Sequence, residues 1–469
     1  MEQSFKLKIQ FRASTSIFLI KKNEVMESKK TISMSVVNAF AAGIDVGSRE
    51  HYVAVGQNPE DVRVFKVYSS DNDLMVKHLK ACGIKTVAME STGTYWQMLY
   101  SCLQSAGFEV VLSNNYIKDP QRKTDNKDAR WLQKLHTLGL LKGAFIPSED
   151  IAEIRTYHRH RASILAQGAS SIQKMQKALR LMNVRLDIAI NDITGLSGMK
   201  IIEAIVSGQR DGKLLASLVH YRVKKTKEEI EASLQGTWKT EQLFILTDEL
   251  EAYKICQKRM KICDERIEIL LSKITKQFVP NIESKNKKRK QKNGVSYDVQ
   301  KLSLAYFGID LLSVEGIGES TVMTFIAEVG NDIIKFPSKK HFTSWLRLAP
   351  NNKITGGKII SSRTPKGKNI MAGAFRLAAN TISQRKDGVL KKIFSKIAFK
   401  KGRAAAITAL ARRLAEIFWI MAVKKVEYKP RDENEYDSQK KNTVIKNIQS
   451  KMKKLGLTVE DIILRVQAT

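Results

Sequence analysis

Short runs of alternating apolar and polar residues open the regular part of the chain. Ala41 to Val46 (AAGIDV), His51 to Gly56 (HYVAVG) and Val62 to Tyr68 (VRVFKVY) are rich in β-formers and separated by turn-type segments, the pattern of an antiparallel meander. A helical stretch around Leu74 to Ala81 follows, then a strand over Lys85 to Glu90, a helix from about Tyr95 to Ala106, a strand over Phe108 to Ser113 and a further helix beginning near Thr124. From residue 150 to about 275 the apolar spacing changes to three and four. Ile164 to Leu181 and Leu243 to Ile274 therefore read as helices, the second long enough to form a coiled-coil-like hairpin or a dimer arm. Leu311 to Gly330 (LLSVEGIGESTVMTFIAEVG) predicts two helices joined by a turn holding Gly316 and Gly318.

The order β-β-β-α-β-α-β-α is that of an α/β, ribonuclease H-like domain, a mixed sheet with helices on both faces. The chain of 469 residues then divides into an N-terminal extension (1–37), loosely ordered; the α/β domain (38–150); a helical linker and dimerisation region (151–300); a mostly α C-terminal domain (301–430) with a helix-hairpin-helix-like element; and a partly helical tail (431–469). Within the extension, Met26 or Met34 offers an alternative start. The apolar stretch Ser16 to Ile20 is too short for a signal-peptide core, and no run reaches the length of a membrane span.

Charge narrows the partners. Lys and Arg number 80 against 47 Asp and Glu, a net of +33, which calls for a polyanion and speaks against an ordinary small-molecule enzyme. Between Lys339 and Lys429 there are 22 Lys and Arg against three acids, a net of +19, so more than half of the excess sits in about a fifth of the chain. A second basic run, Lys285 to Lys292, reads as a solvated loop able to touch phosphate. The Gly316–Gly318 turn can present backbone N–H groups to phosphate as helix-hairpin-helix contacts do. Cys82, Cys102, Cys256 and Cys263 show no CxxC pairing and read as neither a zinc site nor a disulfide framework, with Cys256 and Cys263 on one packed helical face. His158-Arg159-His160 reads as surface residues. The default location is a reducing cytoplasm.

Four acids fall where a metal site can be assembled. Asp45 ends the first strand, Glu90 ends the fourth, and Asp125 and Asp128 stand three apart at the start of a helix, both on one face. Two Mg²⁺ ions held by such carboxylates activate an attacking oxygen and stabilise the leaving one in phosphodiester chemistry. Asp45-Val46-Gly47-Ser48 also matches the phosphate-loop opening of actin-like sugar kinases, but the second loop and adenosine site those enzymes need are missing from the C-terminal half.

Taken in order, GIDVGSREHYVAVG, AMESTGTYW, KTDNKDARWL, SVEGIGESTVMTFIAEVG and LAPNNKITGGKIISSRTPKGKN resemble the insertion sequence 110 family of transposases, from about Ala41 to Tyr428. The resemblance implies a RuvC-like DEDD domain with Asp45, Glu90, Asp125 and Asp128 at its four acidic positions. It implies a recombinase that cuts and rejoins donor and target DNA, guided by an element-encoded bridge RNA, with a C-terminal serine as nucleophile. Here Thr355, in Ile354-Thr355-Gly356-Gly357-Lys358, stands at the serine's place. Threonine carries the needed hydroxyl beside a crowding methyl, and Ser361 and Ser362 are the alternatives. Lys358, Arg363, Lys366 and Lys368 flank these hydroxyls and are candidates to hold the scissile phosphate. A homodimer or homotetramer is expected, and the resemblance implies the cytoplasm of a prokaryote, with the protein on the nucleoid when bound to DNA. Two other readings stay open: a RuvC-type structure-selective nuclease whose C-terminal domain only binds, and a catalytically inactive nucleic-acid-binding descendant of a transposase.

Overall fold

A computed structural model describes residues 34–91, 93–113, 124–275 and 292–456. Most of the expected N-terminal extension (1–33), all but the last residue of the 285–292 basic run, and residues 457–469 lie outside the described residues. The chain divides into two units, Met1–Ile146 and Pro147–Thr469.

The first unit is built on a five-stranded sheet of order β3-β2-β1-β4-β5, with β1 Ala41–Val46, β2 Glu50–Ala54, β3 Val62–Lys66, β4 Thr86–Glu90 and β5 Glu109–Ser113. β1, β2 and β3 pair antiparallel, and β4 and β5 add in parallel. This is the mixed sheet expected of a ribonuclease H-like domain. Strand alternation sorts the side chains. Ala42, Ile44 and Val46 join Val87 and Met89 in a core closed by Met75 and Leu79 of α1 (Ser69–Ala81) and Leu99 and Leu103 of α2 (Trp96–Ser105). The opposite face receives α3, Asp125–Thr137, whose buried residues are Ala129, Leu132, Gln133, Leu135 and His136. The end of α3 also ties down the chain entering β1: Val37 and Asn38 both donate backbone N–H bonds to the Thr137 carbonyl.

Among its described residues the second unit is helical apart from one hairpin. Its spine is α4 (Glu149–Leu181) against α9 (Thr240–Thr275), antiparallel because Arg161 meets Asp264 while Lys174 meets Glu249. Cys256 and Cys263 share a buried cluster with Ile164 and Met260, the packed face their spacing implies. Four short helices, α5 (Leu186–Ala189), α6 (Leu196–Val206), α7 (Gly212–Ser217) and α8 (Lys227–Ser233), close a separate small core with the ends of both long helices.

Toward the C-terminus, α10 (Val299–Phe307), α11 (Glu319–Glu328), α12 (Lys339–Trp345), α13 (Ile370–Ser383), α14 (Val389–Lys401) and α15 (Arg403–Lys424) surround fully buried Phe307, Phe325, Phe342, Phe375 and Phe418. Phe325 and Phe375 meet Phe418 edge-on at 5.2 and 5.1 Å between ring centroids. A last helix, α16 (Glu433–Leu455), carries no buried residue.

Two expectations are corrected here. Leu311 does not begin an α-helix: Leu311–Ser313 is one 3-10 turn, because the Asp310 carboxylate takes the Leu312 N–H at 2.8 Å and Val314 is already extended. His158 and Arg159 are not idle surface residues. Arg159 grips the buried Glu328 carboxylate of α11 with two bonds of 2.8 and 2.7 Å, and His158 lies 3.3 Å from the Thr324 hydroxyl, so this segment clamps α4 to the C-terminal helices.

Candidate active site

Gly43 explains where the four acids go. A Cβ at this position would stand 2.3 Å from the Gln133 nitrogen and 2.5 Å from the Ala129 carbonyl, so only glycine lets α3 lie directly on β1. Gln133 also donates from Nε2 to the Ala41 carbonyl at 3.1 Å. Passing from Ala41 to Gly43 along the strand corresponds to passing from Gln133 back to Ala129 along the helix. The helix therefore runs against the strand, and its first turn, with Asp125 and Asp128, lies toward Asp45, the next residue on the same face.

The neighbouring strand extends the same face. β1 and β4 pair Ala41 with Thr86, Gly43 with Ala88 and Ile44 with Met89, so the next rung places Glu90 beside Asp45. Thr86 faces α3, since its hydroxyl meets His136 Nε2 at 2.9 Å, and Ala88 and Glu90 follow at alternate positions. Asp45, Glu90, Asp125 and Asp128 thus come from three separate elements to one end of one face.

Tyr52 is the reporter of this arrangement, and the motif reading missed it. It is the cross-strand partner of Asp45. Its phenol is held above the ordinary range first by burial and then by the negative charges of Glu50, Asp125 and Asp45, so charges on β1, β2 and α3 all act on one phenol. Alternation within His51 to Gly56 does place Tyr52 on this face, but only the pairing register sets it opposite Asp45. Ser113, paired with Glu90 across β4 and β5, is fully buried with its hydroxyl unpartnered, a second polar group at this end of the sheet.

As a cation site the set fits in donor chemistry, all carboxylate oxygen, and its four acids lie toward one end of the sheet without closing on a single point. Among the described residues no three His, Cys, Asp or Glu side chains converge closely enough to ligate one ion, so the placement rests on the backbone and the Tyr52 electrostatics.

His136 gives this unit a pH response. Burial holds its imidazole below the ordinary 6.5, with Glu109 opposing. As pH falls below about 6.5 the unfolded chain takes up a proton that the folded ring resists, so the ring's contribution to stability is full above that pH and is lost below it. The melting temperature is expected to fall between about pH 7.5 and about pH 5.5, with a smaller fall in His136→Gln. Equal falls in both proteins would assign the effect to other groups.

In the second unit, the candidate hydroxyls sit on an isolated two-stranded ribbon, β6 (Lys353–Thr355) and β7 (Lys358–Ser361). Gly356 and Gly357 turn it with φ of 54° and 73°, the left-handed pair that a tight hairpin needs. Thr355 pairs with Lys358 at the turn, whereas Ser361 pairs with Lys353 at the base. Three residues of strand separate these ends, about 10 Å. The structure therefore divides the candidates: Thr355 stands exposed at the tip, Ser361 is half-buried, and its Oγ accepts the Arg363 N–H at 3.4 Å. Lys358, Arg363, Lys366 and Lys368 are all exposed.

The glycine turn is only partly open. Gly316 (φ 74°) presses on α13, where a Cβ would lie 2.4 Å from the Ile382 side chain, so its first task is packing. Gly318 caps α11 with nothing within 4 Å of its Cβ position. Glu315 and Glu319 flank the turn, and Glu315 pairs with Arg385 at 3.2 Å.

Two family models match the chain. Residues 42–184, from β1 through the whole of α4, match the IS110 DEDD domain described as Transposase, and residues 310–395, holding both the glycine turn and the ribbon, match the Transposase IS116/IS110/IS902 family. The chain is a member of this transposase family. No curated protein matches it closely enough to serve as a relative. As an IS110 transposase it acts on DNA, and a DEDD domain of this kind works with divalent metal. No helix among the described residues is long and apolar enough to cross a membrane.

Proposed function

We propose that this transposase cuts and rejoins DNA strands with two chemical centres, a cation site of Asp45, Glu90, Asp125 and Asp128 and a hydroxyl nucleophile on the β6–β7 ribbon. The observation that carries the reading is the convergence of β1, β4 and the start of α3, enforced by the contact at Gly43. Mg²⁺ is the ion proposed, and when bound it supplies Lewis-acid stabilisation of charge on phosphate oxygens. The four carboxylates hold it, and Tyr52 and Ser113 border the set.

On the ribbon, Thr355 is the first choice because it alone of the three hydroxyls stands at the exposed turn beside Lys358. Its Oγ1 forms a bond to the scissile phosphorus as the bridging deoxyribose oxygen leaves with a proton. Attack by that oxygen or another strand's hydroxyl on the protein–DNA ester reverses the step and rejoins DNA without outside energy. Lys358, Arg363, Lys366 and Lys368 hold the phosphate and offset its developing charge. The open amides at Gly318 add a backbone contact to DNA, with Gly316 shaping the turn.

A guide RNA encoded by the element is proposed as the source of target choice, held by the same excess of positive charge. Assembly as a homodimer or homotetramer is supported by Ile255, Ile262 and Ile269 of α9, exposed at every seventh residue.

The deciding experiment traps the ester on a nicked element-end substrate and maps the attached residue. An adduct on Thr355, retained in Thr355→Ser and absent in Thr355→Val, is expected. An adduct on Ser361 or Ser362 reassigns the nucleophile, and strand transfer without any adduct overturns the covalent step in favour of water.

A further inference from the structure

Between α7 and α8 the chain makes a loop that neither centre uses. Residues 212–227 (GKLLASLVHYRVKKTK) contain five Lys and Arg and no acid, with Asp211 and Glu228 standing just outside. Tyr221, at the loop's crest, is 81% exposed, which leaves most of a large aromatic ring uncovered in water. His220 leans against the ring, 4.3 Å away between centroids and tilted by 31°. The Arg222 guanidinium sits 5.6 Å from the ring centre, and Lys224, Lys225 and Lys227 are exposed beyond it.

The loop is held in this shape. His220 donates its backbone N–H to the Ser197 hydroxyl at 2.9 Å, Arg222 donates its own to His220 Nδ1 at 3.3 Å, and Val223 to the His220 carbonyl at 3.0 Å. Val219 and Val223 pack into the small helical core on either side. On its far side Thr226 and Glu229 form a reciprocal cap at the start of α8. A rigidly presented aromatic ring amid uncompensated cations is the combination that binds unpaired bases: every base has a π-face to stack, and the phosphates on either side need positive charge.

We infer that this loop is a stacking platform for single-stranded nucleic acid, an unpaired base lying on Tyr221 with its flanking phosphates on Arg222, Lys224 and Lys225. It does not depend on which hydroxyl cuts DNA, or on whether any does.

The test uses the full chain and short single strands, one RNA and one DNA, each carrying a 5-iodouracil for photocrosslinking. An adduct on Tyr221 is expected, and the strand type that forms it identifies the source of the base. By fluorescence anisotropy, Tyr221→Ala should weaken binding of the same strand about tenfold while Tyr221→Trp retains it. Replacing Lys224 and Lys225 by Gln should reduce the slope of log affinity against log salt by about 1.4. Tyr221 lies outside the core, so thermal melting of Tyr221→Ala should match the parent, and Tyr221→Trp keeps the test valid if it does not. Adducts on other residues with none at Tyr221, or unchanged affinity in Tyr221→Ala, overturn the inference. Loss of self-association in Tyr221→Ala with unchanged oligonucleotide binding does so too, by assigning the ring to a second copy of the chain.

Discussion

Asp125→Asn together with Asp128→Asn is expected to reduce element excision and strand transfer by roughly a thousandfold or more, with DNA binding held within about twofold. The size follows from the work asked of the ion. Lewis-acid stabilisation of a phosphoryl oxygen is worth several kcal/mol, and each 1.4 kcal/mol is about tenfold in rate. The selectivity follows from location. Both acids are in the first turn of α3, in the first unit, whereas the cation-rich ribbon and the +19 stretch belong to the second. Asparagine keeps the shape of each side chain and surrenders only its favourable charge at the helix start, about 0.3–1 kcal/mol for each, so α3 should stay on β1. Assays across a series of Mg²⁺ concentrations, with DNA binding measured on the same preparation, separate lost catalysis from lost folding. Excision at the parent rate would falsify the assignment of the α3 acids to the cation site.

Asp264→Ala is expected to cost about 3–5 kcal/mol of stability, the toll of leaving a buried charge unpaired. Asp264 is 2% exposed and takes the Arg161 guanidinium on both oxygens, at 2.5 and 3.2 Å. Burial pushes the Asp264 carboxyl above its ordinary range despite that partner, a sign that the site pays heavily for keeping two charges dry. The pair also anchors the chain where it rejoins α4 and α9. Arg161 donates to the carbonyls of Asn293 and Gly294, and Asp264 accepts the Ser296 N–H at 3.2 Å. Without Asp264 the guanidinium keeps only those carbonyls. A double replacement, Arg161→Met with Asp264→Leu, should recover most of the loss, because apolar residues of similar size remove the desolvation penalty along with the attraction. Denaturant unfolding of the three proteins measures both effects. A single variant within about 1 kcal/mol of the parent would show that the site takes up water and is not a closed ion pair.

Much of the first unit was legible along the chain. Strands of four to six β-formers separated by turn residues, and helices with apolar residues at three and four, are local patterns, and each strand and helix of the sheet domain lies within a few residues of where those patterns put it. Asp45, Glu90, Asp125 and Asp128 can be proposed as a set for the same reason: each ends or begins an element, and the order of the elements states which ends are neighbours. Tyr52 and Ser113 are not visible along the chain because their place beside the proposed set is a matter of register, Asp45 to Tyr52 and Glu90 to Ser113, and register is set by pairing between strands distant in sequence. At Leu311–Ser313 the apolar residues suit either state, and the choice falls to the Asp310 carboxylate, which captures the Leu312 N–H.

The clamp at Glu328 and the buried pair at Asp264 lie further from view. Arg155, Arg159 and Arg161 look like an exposed basic stretch in a chain that carries 80 Lys and Arg, and nothing nearby distinguishes the three. Helix packing does. Arg159 reaches a buried acid 169 residues on while staying half exposed itself, and Arg161 reaches one 103 residues on in a position where water is excluded and a carboxylate must answer the charge. Composition and local periodicity thus point to a polyanion-binding chain with a sheet domain, long helices and four acids at element ends, because those properties depend on neighbours in sequence. Which cations face solvent and which are consumed in holding helices together, which hydroxyl stands at the ribbon's tip, and that α3 lies on β1 at Gly43 were settled by contacts between distant segments, where steric fit and the cost of burying charge select one arrangement.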